Sequence, residues 1–334
     1  MFGDKGRRLQ WGILGSSLIA RVCLIAAIKK AHNSDLIAIA SRSLARAQRL
    51  QTEYDIPKAY GSYQELIDDP EVDAVYIPLP NHLHYPWTIR ALEAGKHVLC
   101  EKPLALNSTE SFEMVNKAKE CQLILMEASM YRFQPRINEI EKLVASGEIG
   151  EPRIVRAAFT FQATDKNSFR FLPEMGGGAL LDVGGYCVGV CRLMFGSEPT
   201  DVRAFSEIGK TGVDLATTAI MKFPDGKMGL IECSFTSSLQ QTFSVIGTSQ
   251  SIELPHNAFI PWDNNPYFTI RAEDKETGIQ MSVPGDDQYR LMVEHFVDVC
   301  VNNATPIITP QFTIGNMQVL DAIAKSAKEH RLVN

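Results

Sequence analysis

The sequence lacks an excess of basic charge, and it lacks long apolar runs. Its 334 residues include 33 Lys and Arg and 39 Asp and Glu, which gives a formal net charge of −6. Because a nucleic-acid backbone attracts positively charged surfaces, DNA and RNA are not expected as main ligands. No stretch reaches the ~18 consecutive apolar residues that a membrane-spanning helix needs. The N-terminal run WGILGSS is too rich in glycine and serine for a signal peptide, so we expect a cytoplasmic protein without membrane association.

The sequence also lacks paired cysteine motifs. Its seven cysteines are odd in number and widely scattered, and neither C-x-x-C nor H-E-x-x-H occurs. A chain of this length buries a core without cross-links, so we expect reduced thiols. Cys187 and Cys191 are spaced to share a helix face, but no second ligand pair accompanies them. We therefore expect the Cys187 and Cys191 side chains to pack in the protein core, and we expect no metal site.

The first third of the chain alternates short apolar, β-branched runs with helical periodicity. This alternation is typical of a parallel sheet with crossover helices, so it predicts a nucleotide-binding α/β domain. The predicted strands are Gln10–Leu14, Leu36–Ala40, Asp73–Ile77, His97–Cys100 and Leu123–Met126, and helices are predicted at Leu18–Ile28, Pro86–Ala94 and Asn107–Glu120. In the first helix, the apolar positions expected on one side are Leu18, Val22, Ile25 and Ile28.

After about residue 130 the pattern changes to long alternating segments with few helices, which predicts an α+β domain with a large, mostly antiparallel open sheet. The predicted strands are Arg153–Gln162, Val202–Ile208, Leu215–Phe223, Met228–Phe235, Thr242–Ile246, Phe268–Ala272 and Gln280–Val283, and the turn Pro224-Asp225-Gly226 predicts a hairpin. Helices are predicted at Ile137–Ser146, Gln288–Val301 and Gly315–Glu329. We place the domain boundary between 1–128 and 129–334, with packing of the C-terminal helices back onto the first domain as an alternative.

The run Trp11–Ala20 predicts a strand, a tight turn and the start of a helix, where a dinucleotide pyrophosphate binds to backbone N–H groups. Aligned to G-x-G-x-x-G/A, it keeps only the first glycine. The alternative is a glycine turn in some other α/β protein. The residues expected to bind the cofactor here are Gly15, Ser16, Ser17, Leu18 and Ile19.

The second strand ends without the acidic residue that an NAD-specific site uses for the ribose hydroxyls. Ser41 and Arg42 stand there instead, and a guanidinium with nearby hydroxyls suits a 2′-phosphate. The alternative is a solvated helix start with ordinary arginines. We therefore predict NADP as the cofactor, with NAD as the second choice.

Two further strand ends carry polar side chains at the carboxyl edge of the sheet, where such sheets bind ligands. Tyr76–His84 predicts a rigid loop along the cofactor through Leu79 and Asn81, with His84 aimed at a substrate hydroxyl or, alternatively, capping a helix. His97–Leu104 runs from a strand into Glu101, Lys102 and a proline. A lysine at this edge is partly desolvated, which suits it to proton transfer.

A fourth segment, Arg170 to Tyr186, contains three consecutive glycines followed by Asp182 and Tyr186. If Leu180–Cys191 is helical, those two side chains share a face one turn apart. The alternative is a glycine-rich loop that leads into a buried helix.

Together, GILGSSLIA, PLPNHLH, GKHVLCEKPLAL and GGGALLDVGGY resemble, in order and spacing, the glucose–fructose oxidoreductase/inositol dehydrogenase (Gfo/Idh/MocA) family over nearly the whole chain. Within it, the D-x-G-x-Y motif is similar to the branch of dimeric dihydrodiol dehydrogenases and NADP-dependent D-xylose dehydrogenases. The resemblance implies a Rossmann domain, a C-terminal open sheet used for dimerisation, and hydride transfer between NADP and a sugar or cyclic diol. Serine at position 17 in place of glycine departs from the fingerprint.

Carried over by motif position, the resemblance implies catalytic roles for Lys102, Asp182 and Tyr186. His84, Glu101 and Lys102 are also expected to contact the cofactor, and Arg132, Arg170 and His84 to orient the substrate. The alternative function is a catalytically idle, dinucleotide-binding redox regulator of the same fold. Because the segments Ala216–Met221 and Met228–Cys233 are apolar at many positions, we expect a homodimer or a homotetramer.

Overall fold

The computed structural model describes residues 8–261, 265–272, 277–329 and 332–333. The chain forms two compact units. Unit 1 consists of Met1–Phe133 and Asp287–Thr313, and unit 2 consists of Gln134–Asp286 and Ile314–Asn334. The chain therefore leaves unit 1 after Phe133 and returns to it at Asp287.

Unit 1 is built on a parallel sheet of six strands in the order β3-β2-β1-β4-β5-β6. The strands are β1 (Leu9–Leu14), β2 (Ser34–Ala40), β3 (Lys58–Tyr60), β4 (Ala74–Ile77), β5 (His97–Cys100) and β6 (Leu125–Glu127). In this order the connections run outward on both sides of β1 and β4. The carboxyl ends of these two strands therefore form the crevice in which such sheets bind ligands.

Helices connect the successive strands of unit 1, and one further helix follows when the chain returns to this unit. They are α1 (Ile25–Lys30), α2 (Leu44–Tyr54), α3 (Tyr63–Ile67), α4 (His84–Glu93), α5 (Ser108–Glu120) and, after the chain returns, α8 (Gln288–Asn302). The core includes Trp11, which is fully buried and whose ring lies 5.0 Å from that of Phe296 on α8. Apolar burial thus ties the returning helix to the first strand.

Unit 2 is built on an eight-stranded sheet in the order β14-β13-β12-β11-β7-β10-β9-β8. Its strands are β7 (Pro152–Gln162), β8 (Asp201–Ile208), β9 (Asp214–Lys222), β10 (Met228–Ser234), β11 (Thr236–Gly247), β12 (Gln250–Leu254), β13 (Tyr267–Ala272) and β14 (Ile279–Ser282). All pairings are antiparallel except β7 with β10, which is parallel. Its helices are α6 (Pro135–Ala145), α7 (Gly185–Phe195) and α9 (Pro310–Glu329), the last of which begins at the end of unit 1.

Helix α7 and the residues before it form the apolar segment 173–195, which is long and hydrophobic enough to span a membrane. Of its most hydrophobic window, 83% is buried inside the structure. Packing against β7 and β10 explains this composition, so the segment is a core helix of unit 2.

The predicted fold class is confirmed, and most predicted strands lie within one or two residues of the observed ones. The hairpin at Pro224-Asp225-Gly226 joins β9 and β10, with Lys222 opposite Met228. The short elements β3, α3 and β12 were not predicted. In α4, the helix begins at His84, so Pro86 is its third residue and not its first.

The prediction that Leu18, Val22, Ile25 and Ile28 share one side of the first helix is wrong. Leu18 and Val22 are 67% and 58% exposed, whereas Ile25 and Ile28 are buried. The reason is a π-helical turn at Ala20–Leu24. Because a π turn holds more residues than an α turn, side chains before and after it do not keep the α-helical phase.

Candidate active site

The turn after β1 has the geometry of a dinucleotide-binding turn. Gly15 has a φ of 105°, which favours glycine, and its backbone N–H donates to the Ala40 carbonyl at 2.8 Å. A Cβ at this position would lie only 2.9 Å from Leu79 Cδ2. Ser17 Oγ then accepts from the Ala20 N–H at 3.2 Å, at the start of the helix. The turn therefore combines a close backbone approach with a helix N-terminus, as phosphate binding requires.

The end of β2 places Ser41 and Arg42 differently. Ser41 is buried and its backbone N–H donates to the Tyr60 carbonyl at 3.1 Å, whereas the Arg42 side chain is exposed. Burial raises the pKa of the Tyr63 hydroxyl, and the positive charges of Arg42 and Arg46 partly oppose this effect.

The loop after β4 buries two of the predicted residues, Asn81 and His84. The His84 ring is fully buried, with Nδ1 at 2.8 Å from the Pro103 carbonyl and Nε2 at 2.8 Å from the Leu79 carbonyl. Burial lowers the pKa of His84 to about 4. Both ring nitrogens face backbone carbonyls, so neither is available to a substrate hydroxyl. His84 therefore links two loops and does not have the substrate-facing position that was predicted from the sequence.

The Lys102 turn, defined here as Glu101–Leu104, follows β5 at the carboxyl edge of the sheet. Its Lys102–Pro103 bond is cis, and the Lys102 side chain is half-buried. Glu101 Oε1 accepts from the Tyr76 hydroxyl at 2.7 Å, and its Oε2 accepts from the Lys102 backbone N–H at 3.2 Å. The turn that carries Lys102 is therefore fixed to β4 through Tyr76.

A buried carboxylate holds the other end of the same turn. Glu127, the last residue of β6, accepts from the Leu104 N–H at 2.9 Å and from the Ser129 hydroxyl at 3.1 Å. Burial raises the pKa of Glu127, and these two bonds together with nearby Lys102 partly oppose the rise. Sequence reasoning missed Glu127 and Tyr76. The signal for Glu127 was its place at the carboxyl end of a strand.

Arg132 lies in a 3₁₀ turn, Met130–Phe133, and is 6% exposed. Its guanidinium carbon is 5.8 Å from the centre of the Phe312 ring. Both residues belong to unit 1. The substrate-orienting role predicted for Arg132 stays a prediction.

In unit 2, the glycine-rich loop brings Arg170 onto Asp182. Arg170 Nε donates to Asp182 Oδ2 at 2.6 Å, and the Asp182 side chain is only 7% exposed. A Cβ at Gly177 would lie 2.6 Å from the Arg170 carbonyl oxygen, so only glycine lets the loop fold back this closely. Arg170 and Asp182, which were predicted as separate site residues, thus form a charge-assisted contact in which the carboxylate is buried.

Tyr186 lies at the start of α7 and is 5% exposed. Its ring lies 5.3 Å from that of Phe159 and 5.4 Å from that of Phe259. The segment before it, Leu180–Gly184, is π-helical, so Asp182 and Tyr186 do not have the regular α-helical phase expected from their spacing.

Asp214, which sequence reasoning also missed, holds the start of this helix. Its Oδ2 accepts from the Leu180 N–H at 2.7 Å and from the Thr217 hydroxyl at 3.0 Å. Burial raises the pKa of Asp214, and these bonds partly oppose the rise. No local pattern marked it, because its partner Leu180 lies 34 positions away.

The residues of unit 1 fit a nicotinamide dinucleotide. The Gly15 turn leaves room for a pyrophosphate at a helix start, and the end of β2 offers a serine and an exposed arginine. Leu79 and Asn81 follow β4 at the same edge of the sheet, and Leu79 lies beside the β1 turn.

Comparisons with known proteins agree with this geometry. The family model "Oxidoreductase family, NAD-binding Rossmann fold" matches residues 9–129, and "GFO/IDH/MocA C-terminal domain" matches residues 137–253. D-xylose 1-dehydrogenase (NADP(+)) 2 of Haloferax volcanii is 33% identical over 96% of this chain and 98% of its own length. Trans-1,2-dihydrobenzene-1,2-diol dehydrogenase of Mus musculus is 38% identical over 72% of each chain.

Among solved structures, KijD10, a 3-ketoreductase from Actinomadura kijaniata in complex with NADP and TDP-benzene, superimposes with a TM-score of 0.91. It is 27% identical and covers 96% of this chain and 98% of its own. The resemblance drawn from the sequence motifs is therefore confirmed. On the two matching family models and the D-xylose dehydrogenase relative, which matches over nearly its whole length, the chain belongs to the GFO/IDH/MocA family of oxidoreductases.

Proposed function

We propose that this oxidoreductase is an NADP-dependent dehydrogenase that acts on a CH–OH group of a sugar or cyclic diol. The observation that carries the proposal is the Lys102 turn, which buried Glu127 and Tyr76 fix at the ligand-binding edge of the parallel sheet. The similar D-xylose and dihydrodiol dehydrogenases support this class of substrate.

Oxidation of an alcohol requires a group that accepts the hydroxyl proton as hydride leaves the carbon. When bound, NADP supplies the hydride acceptor. We assign the proton transfer to Lys102 and Tyr186 as a pair, because an ammonium group stabilises a tyrosinate. Asp182, paired with Arg170, is the acidic member of the catalytic group that we propose.

The cofactor preference rests on the end of β2, which has no acidic side chain between Asp35 and Glu53. An acidic residue there would repel a 2′-phosphate, whereas Ser41 and Arg42 suit it. Glu101, beside Lys102, is the other cofactor contact that we propose for this edge.

We further propose a cytoplasmic homodimer or homotetramer that pairs through the outer face of the unit 2 sheet. Phe205 is 62% exposed and Ile220 46% exposed on adjacent strands of this sheet. A cavity of about 560 Å³ lies on the same sheet and is lined by both apolar and charged side chains, among them Leu230, Arg156 and Glu232. Such a mixed face suits contact with another protein surface.

The decisive experiment is an absorbance screen for NADPH formation with pentoses, hexoses, their phosphates and cyclic diols. NAD in place of NADP serves as the control. Turnover with NADP and at least one substrate class supports the proposal. NADP binding without turnover on any of them favours the idle redox regulator.

A further inference from the structure

Asp214 is the first residue of β9, and both of its carboxylate oxygens face the backbone that leads into the helix of Asp182. Its Oδ2 accepts from the Leu180 N–H at 2.7 Å. Its Oδ1 lies so close to Gly178 that a Cβ would not fit there, and Gly178 has a φ of 119°, which also favours glycine. The carboxylate therefore contacts this backbone at two points.

This contact takes the place of a local helix cap. The first N–H groups of a helix have no acceptor within it, and a Ser, Thr, Asp or Asn just before the helix usually accepts from one of them. The residues before Leu180 are three glycines and Ala179, which have no side-chain acceptor. Asp214 supplies the acceptor from 34 positions away, and its negative charge is favourable at a helix start.

Gly178 is bonded in turn to both members of the Arg170–Asp182 pair. Its N–H donates to the Arg170 carbonyl at 3.0 Å, and its carbonyl accepts from the Asp182 N–H at 3.1 Å. The Arg170 Nε then donates to Asp182 Oδ2 at 2.6 Å. A movement of Gly178 away from Asp214 would therefore displace the backbone of both charged residues.

The π-helical turn Leu180–Gly184 gives this contact a second consequence. The turn sets the direction of the Asp182 side chain relative to Tyr186, which follows it in the same helix. Asp214 accepts from the N–H of the first residue of the turn. Without this acceptor the turn would be free to adopt regular α-helical geometry, and Asp182 would rotate relative to Tyr186.

Asp214 is itself fixed by the strands of unit 2. The Thr217 hydroxyl donates to Asp214 Oδ2 at 3.0 Å, and the hydroxyl oxygens of Thr217 and Ser206 lie 2.7 Å apart across the pairing of β9 with β8. Thr217 is only 1% exposed. The carboxylate is therefore anchored in the sheet, independently of the loop that it holds.

We propose that Asp214 is a positioning residue of this oxidoreductase, which fixes the Asp182 carboxylate in the orientation that turnover requires by holding Gly178 and Leu180. The role rests on the proposed function, in which Asp182 belongs to the catalytic group. A misplacement of a reacting group by about 1 Å lowers kcat about 10²-fold, because the groups must be aligned. The loss should fall on kcat more than on KM, since the groups that bind the substrate are all still present.

The test compares the wild type with Asp214→Ala, Asp214→Asn and the control Glu198→Gln. Glu198 Oε2 accepts from Arg192 Nε at 2.6 Å in the last turn of α7, so its substitution weakens the same helix at the end opposite to Asp182. The first measurement is hydrogen exchange by mass spectrometry over residues 178–186. Asp214→Ala should speed exchange there about tenfold, the equivalent of one hydrogen bond, and Glu198→Gln should not.

The second measurement is steady-state kinetics with NADP and the sugar or diol that the wild type oxidises fastest. Asp214→Ala should lower kcat about 10²-fold, whereas KM and the dissociation constant of NADP should change less than about threefold. Asp214→Asn keeps one oxygen that can accept from the Leu180 N–H, so its kcat should fall between those of wild type and Asp214→Ala. Glu198→Gln should keep the wild-type kcat even where its melting temperature is lower.

The outcomes separate this inference from the function on which it rests. Wild-type kcat in Asp214→Asn and Asp214→Ala would overturn the positioning role, and so would an equal loss of kcat in Glu198→Gln. If Asp214→Ala has no cooperative melting transition, Asp214→Asn carries the test. If the wild type oxidises no sugar or diol, the proposed function fails, and exchange alone decides: an unchanged rate over 178–186 in the Asp214 variants overturns the hold on Asp182.

Discussion

The two regions that carry the proposed proton-transfer residues are held in different ways. In unit 1, the Lys102 turn is held by polar groups, namely buried Glu127 and His84 and the Tyr76 hydroxyl. In unit 2, Tyr186 is held by the rings of Phe159 and Phe259. The turn thus depends on hydrogen bonds to titratable groups, and Tyr186 depends on apolar packing.

The difference follows from backbone geometry. A turn has backbone N–H and C=O groups without partners in the sheet, so buried side chains must satisfy them. A helix satisfies its own backbone, and its side chains need only a close-packed surface. We therefore expect the Lys102 turn to be sensitive to pH, and the packing around the Tyr186 ring to be sensitive to side-chain volume.

The largest effect is expected from Lys102→Met, which tests whether the turn serves the chemistry. Loss of a general acid–base group lowers kcat about 10²–10⁴-fold. NADP affinity should stay close to the wild-type value, as measured by titration beside steady-state kinetics. Lys119→Met, at an exposed position of α5, removes the same charge and should leave kcat unchanged. Full activity in Lys102→Met would remove this residue from the mechanism.

Tyr186→Phe tests the apolar region, because it removes the hydroxyl and keeps the ring contacts. We expect a loss of kcat of about 10²–10⁴-fold. Tyr85→Phe, which removes a hydroxyl bonded to Glu113 at 2.7 Å, is the matched control. The double variant with Lys102→Met should cost far less than the product of the two losses if the pair acts as one unit. Independent, multiplying losses would separate the two residues.

His84→Gln tests whether a group that holds the Lys102 turn makes the stability of the fold depend on pH. The folded pKa of His84 is lowered from 6.5 to about 4, so its neutral form stabilises the fold above pH 6.5. That contribution, about 3 kcal/mol, is lost as the pH falls from about 6.5 to 4. Chemical unfolding at several pH values should therefore give a flatter curve for His84→Gln than for wild type. A steeper curve for the variant would mean that the folded ring is protonated between its two carbonyls.

The smallest effect is expected from Phe159→Leu on the apolar side. Removing one aromatic partner of Tyr186 should lower the free energy of unfolding by about 1 kcal/mol. Because no titratable group is lost, the unfolding curve should shift by the same amount at every pH between 4 and 8. A pH-dependent difference from wild type would break the distinction drawn between the two regions.

The fold and the position of Lys102 could be predicted because both depend on local pattern. A β-branched run that ends in a charged turn marks the carboxyl edge of a parallel sheet. The hydrogen bonds that hold that turn could not be predicted. Glu127 lies 23 positions from its partner Leu104, and Tyr76 lies 25 positions from its partner Glu101. Contacts at such separations are set by sheet order, which no local pattern records.

His84 and the two π-helical turns show a second limit. A histidine in a loop after a strand has the same local sequence whether it faces a ligand or lies between two carbonyls, so its burial decides its role. The π turns at Ala20–Leu24 and Leu180–Gly184 have ordinary helical sequences, yet they change which side chains face the same way. Periodicity assumes a constant helical pitch, and these two helices do not keep it.

The division of unit 1 into two separate stretches of chain has a consequence for biosynthesis. Trp11 completes its packing only with Phe296, which the ribosome makes after the whole of Gln134–Asp286. Unit 1 therefore begins to emerge first, but its core cannot be completed until Gln134–Asp286 has been synthesised. A nascent chain stalled before α8 should expose apolar surface near Trp11 and recruit chaperones, whereas the released chain should not.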